Sequence, residues 1–456
     1  MQYNYIYTAP LSFEWVVSCI YIQYHDILKG ILTLKGMLFM TSNLNALFEQ
    51  ALHIQSPWSI KEIRFDEPSR QLNIWIDFAK GSEFFYEDKE ASIRGSYKAY
   101  DTVEKQWRHL NFFEHECYLH ARVPRIQLPG GQIRLIQTPW EGQRNGFTLL
   151  FEALVLSLLQ AMPVHRVGQL LNISDYKLWS LIETYVTCAR EKEDYSGVSA
   201  VGIDETAKRK HHDYMTLFVD VKARKTVFVT EGKGKSTVKA FIEDLTAHGA
   251  DANQIQDVSC DMSPAFVRGV QLYLPNAKIT FDKFHIIKCI NEGVDAVRKQ
   301  EAREQPSLRG HRYLFLKNRA HLTAREKKTL ETFSLSSYHL KTYQALQMRE
   351  AFQAIYEAGS VPVFECLLEK WVQWVASCGL PIMQMVAQKI KDHWDGIVQW
   401  KTSALNNGIL EGLNSLVQAA KAKARGYKTF RCLQLITYLL TSKLDFTGLN
   451  KYLVPT

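Results

Sequence analysis

Three carboxylates carry the chemistry that this sequence suggests. Asp204 closes the apolar stretch 198–203, Asp261 follows the run 255–260, and Glu411 lies inside Asn407-Gly-Ile-Leu-Glu-Gly-Leu-Asn414. Acids so far apart meet only through a fold. Such a set suits two-metal phosphoryl transfer, in which two Mg²⁺ or Mn²⁺ ions about 4 Å apart take hard oxygen ligands and clamp the attacking and leaving oxygens. The chain has 47 acidic residues, so their positions carry the argument and their number does not. Each has a plainer reading: Asp204 as a turn or cap residue, Asp261 as the cap of a helix starting at Pro264, Glu411 as part of a solvated helix face.

Other polar groups accompany these acids. Around Glu411 the spacing predicts a helix with an apolar stripe of Leu410, Leu413, Val417 and Ala420. The Glu411 face continues through Asn414, Gln418, Lys421 and Arg425, with Lys423 in the same basic run, which suits a metal followed by a phosphate backbone. Asp282 and His285 share a face if a helix begins there; they could orient a strand end, protonate a leaving 3′ oxygen, or act only as a cap and a packed ring. Gly232-Lys-Gly-Lys-Ser236 lacks P-loop spacing and reads as a turn. His211-His212 reads as surface.

The elements that must hold the acids follow in order. Residues 200–204 read as a first strand with Asp204 at its tip, and 214–221 and 226–231 as the second and third. A helix over 237–248 precedes a fourth strand at 255–260, a helix at 264–273 and a fifth strand at 277–281. The order βββαβαβ matches a ribonuclease-H-like sheet, with the first acid on strand one and the second just after strand four. Residues 286–400 read as helical throughout, a large insertion before the helix of Glu411.

Upstream, the alternation over 60–78 around Glu67-Pro68-Ser69 predicts a β-hairpin. Residues 107–113 and 116–124 read as short strands, and Pro129-Gly-Gly131 as a tight turn. An apolar helix over 147–161 is stopped by Pro163. Helices over 164–171 and 175–189, joined by Asn172-Ile-Ser174, resemble a helix-turn-helix, in which Tyr176, Lys177 and Ser180 would face a DNA groove; an ordinary helical hairpin is the alternative. Met40 opens an amphipathic helix and reads as a start site, which makes 1–39 a non-native or dispensable extension.

Composition sets limits. The net charge of +8 permits a polyanionic partner. Residues 401–456 hold eight Lys and Arg against two acids, and 298–350 hold twelve against five, so both flanks of the expected site are basic. The eight cysteines form no CxxC pair, which points to a reducing compartment and away from disulfides and thiolate zinc. No apolar run reaches the roughly 20 residues of a membrane span.

Four ordered motifs carry a family resemblance: Val201-Gly-Ile-Asp-Glu-Thr206, Cys260-Asp-Met-Ser-Pro-Ala-Phe266, Thr280-Phe-Asp-Lys-Phe-His285, and 407–414 with Arg425-Gly-Tyr427. Over residues 40 to about 440 the chain resembles the ISL3 family of bacterial insertion-sequence transposases, of the Asp-Asp-Glu type. The resemblance implies Asp204, Asp261 and Glu411 as ligands of two Mg²⁺ or Mn²⁺ ions, and Asp282 and His285 as an Asp-x-x-His signature. It implies cutting of terminal inverted repeats, joining of the 3′-OH ends to target DNA, a dimer or larger assembly on double-stranded DNA, and a cytoplasmic, nucleoid-associated protein. The family opens with a zinc ribbon. Trp107-Arg-His-Leu and 115–125 look like its body, while 83–89 and 127–132 stand where the cysteine pairs belong. No zinc is therefore expected, and a catalytically inactive DNA-binding remnant is the competing reading.

The expected organisation is a multidomain α/β protein. Its parts are an extension (1–39), a degenerate zinc-ribbon-like module (40–143), a helix-turn-helix region (144–196), a catalytic core (197–285), a helical insertion (286–400), and the rest of the core with a basic tail (401–456).

Overall fold

The computed structural model describes residues 42–88, 91–143, 146–209, 213–335, 340–403, 405, 408–446 and 449. Residues 1–39 with Met40, and His211-His212, lie outside them. The described residues form two compact units, one comprising those up to Arg190 with 423–425 and those from 444, the other those within 191–422 and 426–443. Among the described residues, no helix is long and apolar enough to cross a membrane.

The first unit opens with α1 (Ser42–Ala51) and a six-stranded sheet of β1 (Trp58–Asp66), β2 (Gln71–Phe78), β3 (Glu83–Asp88), β4 (Ile93–Phe112), β5 (His115–Gln127) and β6 (Ile133–Leu135). Its order is β1-β2-β5-β4-β3, with β6 beside β5. The expected hairpin is β1–β2, turned at Glu67–Arg70, where the Arg70 N–H donates to the Glu67 carbonyl at 3.2 Å. The strands expected to be short are long instead: β4 has 20 residues and β5 has 13. Polar residues at alternate positions of β4 hid its length, because ladder hydrogen bonds do not require an apolar face. Trp58, Leu72, Ile74, Trp107, Leu119 and Val123 are buried in one cluster, and Trp58 and Trp140 meet edge to face at 5.2 Å.

Three helices follow: α2 (Leu149–Ala161), α3 (Val164–Leu171) and α4 (Asp175–Arg190). The Thr148 hydroxyl caps α2, and Pro163 ends its run. Glu152, fully buried on α2, accepts hydrogen bonds from the Gln143 N–H at 2.8 Å and the Tyr185 hydroxyl at 2.5 Å. Asn172 turns α3 into α4 at φ 54°, a left-handed position that asparagine tolerates. Gly168 lets the turn close, since a Cβ there would stand 2.7 Å from the Ile173 carbonyl oxygen.

The second unit is built on a five-stranded sheet of β7 (Ala200–Arg209), β8 (Asp213–Asp220), β9 (Lys225–Glu231), β10 (Asp257–Cys260) and β11 (Lys278–Phe281), with α5 (Lys235–Ala247) and α6 (Pro264–Tyr273) between strands. The order is β11-β10-β7-β8-β9: β7, β8 and β9 are antiparallel, and β10 runs parallel to both β7 and β11. Val201, Ile203, Phe218, Phe241, Val258 and Phe266 fill the core, with Phe218 and Phe241 stacked at 4.4 Å. Lys235 and Ser236, expected in a turn, already belong to α5.

Helices then run without a strand among the described residues: α7 (Lys283–Glu301), α8 (Arg312–Leu316), α9 (Ala324–Leu335), α10 (Lys341–Ile355), α11 (Val361–Ala376), α12 (Pro381–Asp392) and α13 (Trp394–Ser403). Gly293 permits close packing of α7 on α12, where a Cβ would lie 2.8 Å from Val386. Buried Arg349 donates to the Leu316 and Lys317 carbonyls at 2.7 and 3.0 Å. The chain ends in α14 (Gly408–Lys423) and α15 (Phe430–Thr441). Gln434 of α15 donates to the Val229 carbonyl at 2.8 Å, and the Val229 N–H donates to the Tyr438 hydroxyl at 2.9 Å, so α15 covers the β9 edge.

Candidate active site

Asp204 lies inside β7, not at its tip: the strand continues through Glu205-Thr206-Ala207-Lys208 to Arg209, paired with β8. The apolar run stops at Ile203 because only that stretch is buried on both faces. In the parallel pair, Asp257 stands beside Ala200, Val258 beside Val201 and Ser259 beside Gly202. Continuing that register brings Asp261 level with Asp204.

The electrostatics mark one cluster. Burial pushes the Asp204 carboxyl up to about 6; His285 pulls it down, while Asp282 and Asp261 add to the rise. Asp282 caps α7, accepting from the Phe284 N–H at 3.0 Å, and its own N–H donates to the Cys260 carbonyl at 3.1 Å. Its other oxygen holds His285 Nδ1 at 3.0 Å. That hydrogen bond raises the His285 pKa above its ordinary value, and Asp204 and Asp261 add to it. Asp204, Asp261, Asp282 and His285 are thus brought together. Asp261 also accepts from the Ser263 N–H at 3.0 Å, ahead of α6.

Glu411 sits exposed in the first turn of α14. This helix is fastened along β7. Asn414 Nδ2 donates to Asp204 Oδ2. One turn on, Gln418 Nε2 donates to Thr206 Oγ1 at 2.5 Å and to the Ala207 carbonyl at 3.3 Å, and Lys421 Nζ reaches the same carbonyl at 2.5 Å. Leu410 seats against Gly202, where a Cβ would come within 2.5 Å of Leu410 Cδ1. Asn414 and Lys421, expected on a DNA backbone, therefore contact β7. Lys423 and Arg425 are exposed. Asn407 lies outside the described residues.

One acid escaped the reading of the sequence. Glu205 has a raised carboxyl, first from burial and then from Asp261, with Lys233 and Lys288 opposing. Its Oε2 is buried without a hydrogen-bond partner, and so is Asn414 Oδ1. The Asp-Glu dipeptide was a visible signal, but strand alternation sends its two side chains to opposite faces. Among the described residues, no three His, Cys, Asp or Glu side chains close on a point as a finished metal cage. The donor chemistry nonetheless suits a hard divalent cation: the Asp204 and Asp261 carboxylates and the orphaned Asn414 amide oxygen, at an Asp whose charge burial disfavours.

In the first unit, Tyr176 is 80% exposed at the start of α4 and Lys177 is exposed beside it. Lys177 Nζ stands 6.0 Å from the Phe147 ring centroid, and the Ser180 carbonyl accepts from Thr184.

An acid-bearing mixed sheet together with a helix-turn-helix defines a DNA-processing class, and comparison with known proteins makes it specific. Residues 201–437 match the DDE transposase domain of ISL3 type, and residues 136–186 match the helix-turn-helix domain of transposase family ISL3. The chain is 26% identical over 374 residues to the transposase for insertion sequence element IS1001 of Bordetella parapertussis, covering 80% of this chain and 90% of that protein. It is 24% identical over 364 residues to the transposase for insertion sequence element IS1557 of Mycobacterium tuberculosis, covering 74% and 81%. The chain belongs to the ISL3 family of insertion-sequence transposases.

Proposed function

We propose that this transposase cuts the ends of its element by metal-dependent hydrolysis and joins the freed 3′-OH ends to target DNA, with Asp204, Asp261 and Glu411 holding two Mg²⁺ or Mn²⁺ ions on a ribonuclease-H-like sheet. The observation that carries this reading is the electrostatic cluster of Asp204, on β7, and Asp261, just past the end of the neighbouring parallel strand β10, with Asp204 hydrogen-bonded to the helix that bears Glu411. Bound there, the metals would activate water and offset charge on the scissile phosphate. Asp204 and Asp261 approach from the sheet and Glu411 from α14. His285, whose affinity for a proton is raised by Asp282 and then by Asp204 and Asp261, would supply a proton to the leaving 3′ oxygen. Tyr176, Lys177 and Ser180 meet the inverted repeats, and Lys423 and Arg425 hold backbone phosphate.

The protein acts as a dimer or larger assembly on DNA at the nucleoid, since excision requires two paired ends. The first sheet takes the place of a zinc ribbon, held by its apolar core. The test is a strand-cleavage and strand-transfer assay on DNA spanning the gene's own flanks, in Mg²⁺ and in Mn²⁺, with Glu411→Gln in parallel. Nicking at defined positions that vanishes in the variant is expected. Binding without cleavage in either metal would instead establish an inactive DNA-binding remnant.

A further inference from the structure

We propose that Asn414 is a positioning residue that sets Glu411 against Asp204 through a side-chain clamp between α14 and β7. The inference rests on the two-metal reading above and goes beyond it. Asn414 follows Glu411 by three positions, so the two lie on neighbouring points of one helical face. The Asn414 amide N–H grips Asp204 Oδ2, while the Glu205 N–H donates to the other oxygen, Oδ1, at 2.9 Å. Asp204 is therefore held at both oxygens, once from its own strand and once from the helix bearing the third acid. Gln418 repeats the grip one turn later on Thr206, and Leu410 locks one turn earlier over Gly202. Residues 202, 204 and 206 face one way along β7, and 410, 414 and 418 answer them at helical spacing. The two periods match across this short length, which fixes the register of Glu411 relative to Asp204.

The chemistry of the clamp also fits its place. A cation side chain here would compete with a metal, and a third carboxylate would add repulsion to a buried acid. A neutral amide supplies a donor without charge. Its Oδ1, buried and without a partner, leaves an acceptor for water or a cation beside Asp204. One amide N–H is committed to Asp204, which leaves only the second for the competing role, a contact to the DNA backbone.

Bound Fe²⁺ with peroxide cuts a backbone near its own ligands, which gives a readout independent of transposition. Full-length wild-type protein is expected to be cut near residues 204, 261 and 411. Asn414→Ala should keep the first two cuts and lose the third by roughly 10-fold, as removal of a group that orients a metal ligand commonly does. Its affinity for element-end DNA should stay within about 2-fold of wild type, and Gln418→Ala should show the same pattern more weakly. Should Asn414→Ala fail to fold, Asn414→Leu, of similar shape but with neither the N–H nor a charge, takes its place with the same expected loss. An unchanged cut near residue 411, or weakened DNA binding with all cuts retained, overturns the clamp. No cut near 204 and 261 in the wild type overturns the two-metal reading itself, and the clamp with it.

Discussion

At the scale of single residues, Asp204 combines burial with acidic neighbours, and this has a consequence for pH. Its carboxyl rises to about 6 from an ordinary 3.8, so between these values the folded protein binds more protons than the unfolded chain. Stability from this group is present below pH 4 and is lost as the pH rises through 6. His285, also raised, acts in the same sense, because its stabilising charge disappears above its folded value. The second unit of the metal-free protein is thus expected to melt at lower temperature at pH 8 than at pH 5.5, while buried His109, lowered to about 4, acts in the opposite sense on the first unit. Asp204→Asn should flatten that dependence and stabilise the metal-free protein at pH 8 by up to about 3 kcal/mol, while abolishing cleavage. Melting curves in chelator at the two pH values check this; a variant no more stable than wild type at pH 8 would refute it. Magnesium should reverse the order of wild type and variant, since only the wild type keeps the carboxylate at position 204 alongside those of Asp261 and Glu411.

At the scale of elements, the close approach of α14 to β7 depends on the missing side chain at Gly202. Its Cβ would stand 2.5 Å from Leu410 Cδ1, so Gly202→Ala must push the helix outward. The expected loss is about 1–3 kcal/mol, typical of overpacking. Leu410→Ala alone should lose about 2–5 kcal/mol, since Leu410 is 4% exposed. In the double variant the losses should fall short of their sum, because removing the leucine relieves the clash. Chemical denaturation of the four proteins tests the coupling; strict additivity would show that the helix does not seat there. In the first unit, Gly168→Ala should open the turn of the helix-turn-helix and weaken DNA binding while leaving the metal-directed cuts intact.

What the sequence revealed of these elements followed burial. Strands β8 to β11 and helix α6 were legible because their apolar runs face a core. β7 was cut short at Asp204 because its outer half, Glu205 to Arg209, is polar and holds its place through pairing with β8. The capping of α7 by Asp282 and the shared face of Asp282 and His285 were legible from i, i+3 spacing, and the hydrogen bond between them comes from the fold. The Asn414 and Gln418 clamp was not: its partners stand about 200 residues away, and nothing local distinguishes an amide facing a strand from one facing solvent.

For the whole molecule, charge is the property that one sequence shows best, but only the fold separates free cations from occupied ones. The face of the Glu411 helix groups Lys421 and Arg425, with Lys423 in the same basic run, as phosphate contacts in a chain of +8 net charge. The fold divides them. Lys421 spends its ammonium on the Ala207 carbonyl, whereas Lys423 and Arg425 are exposed beyond it. Each phosphate neutralised releases condensed counterions, so log affinity falls with log salt at about 0.9 per contact. Lys423→Ala and Arg425→Ala are each expected to reduce that slope by about one and to weaken binding evenly across sequences. Lys421→Ala should leave the slope unchanged and act instead on the seating of α14, lowering cleavage and the melting temperature. Lys177→Ala, on the helix-turn-helix, should reduce both the slope and the preference for the element's own ends if α4 enters a groove as proposed. Titrations of element-end and unrelated DNA across a range of salt concentrations separate these cases. A slope that drops for Lys421→Ala as much as for Arg425→Ala would mean that the contact to Ala207 gives way to phosphate when DNA binds. The clamp along β7 would then rest on Asn414 and Gln418 alone.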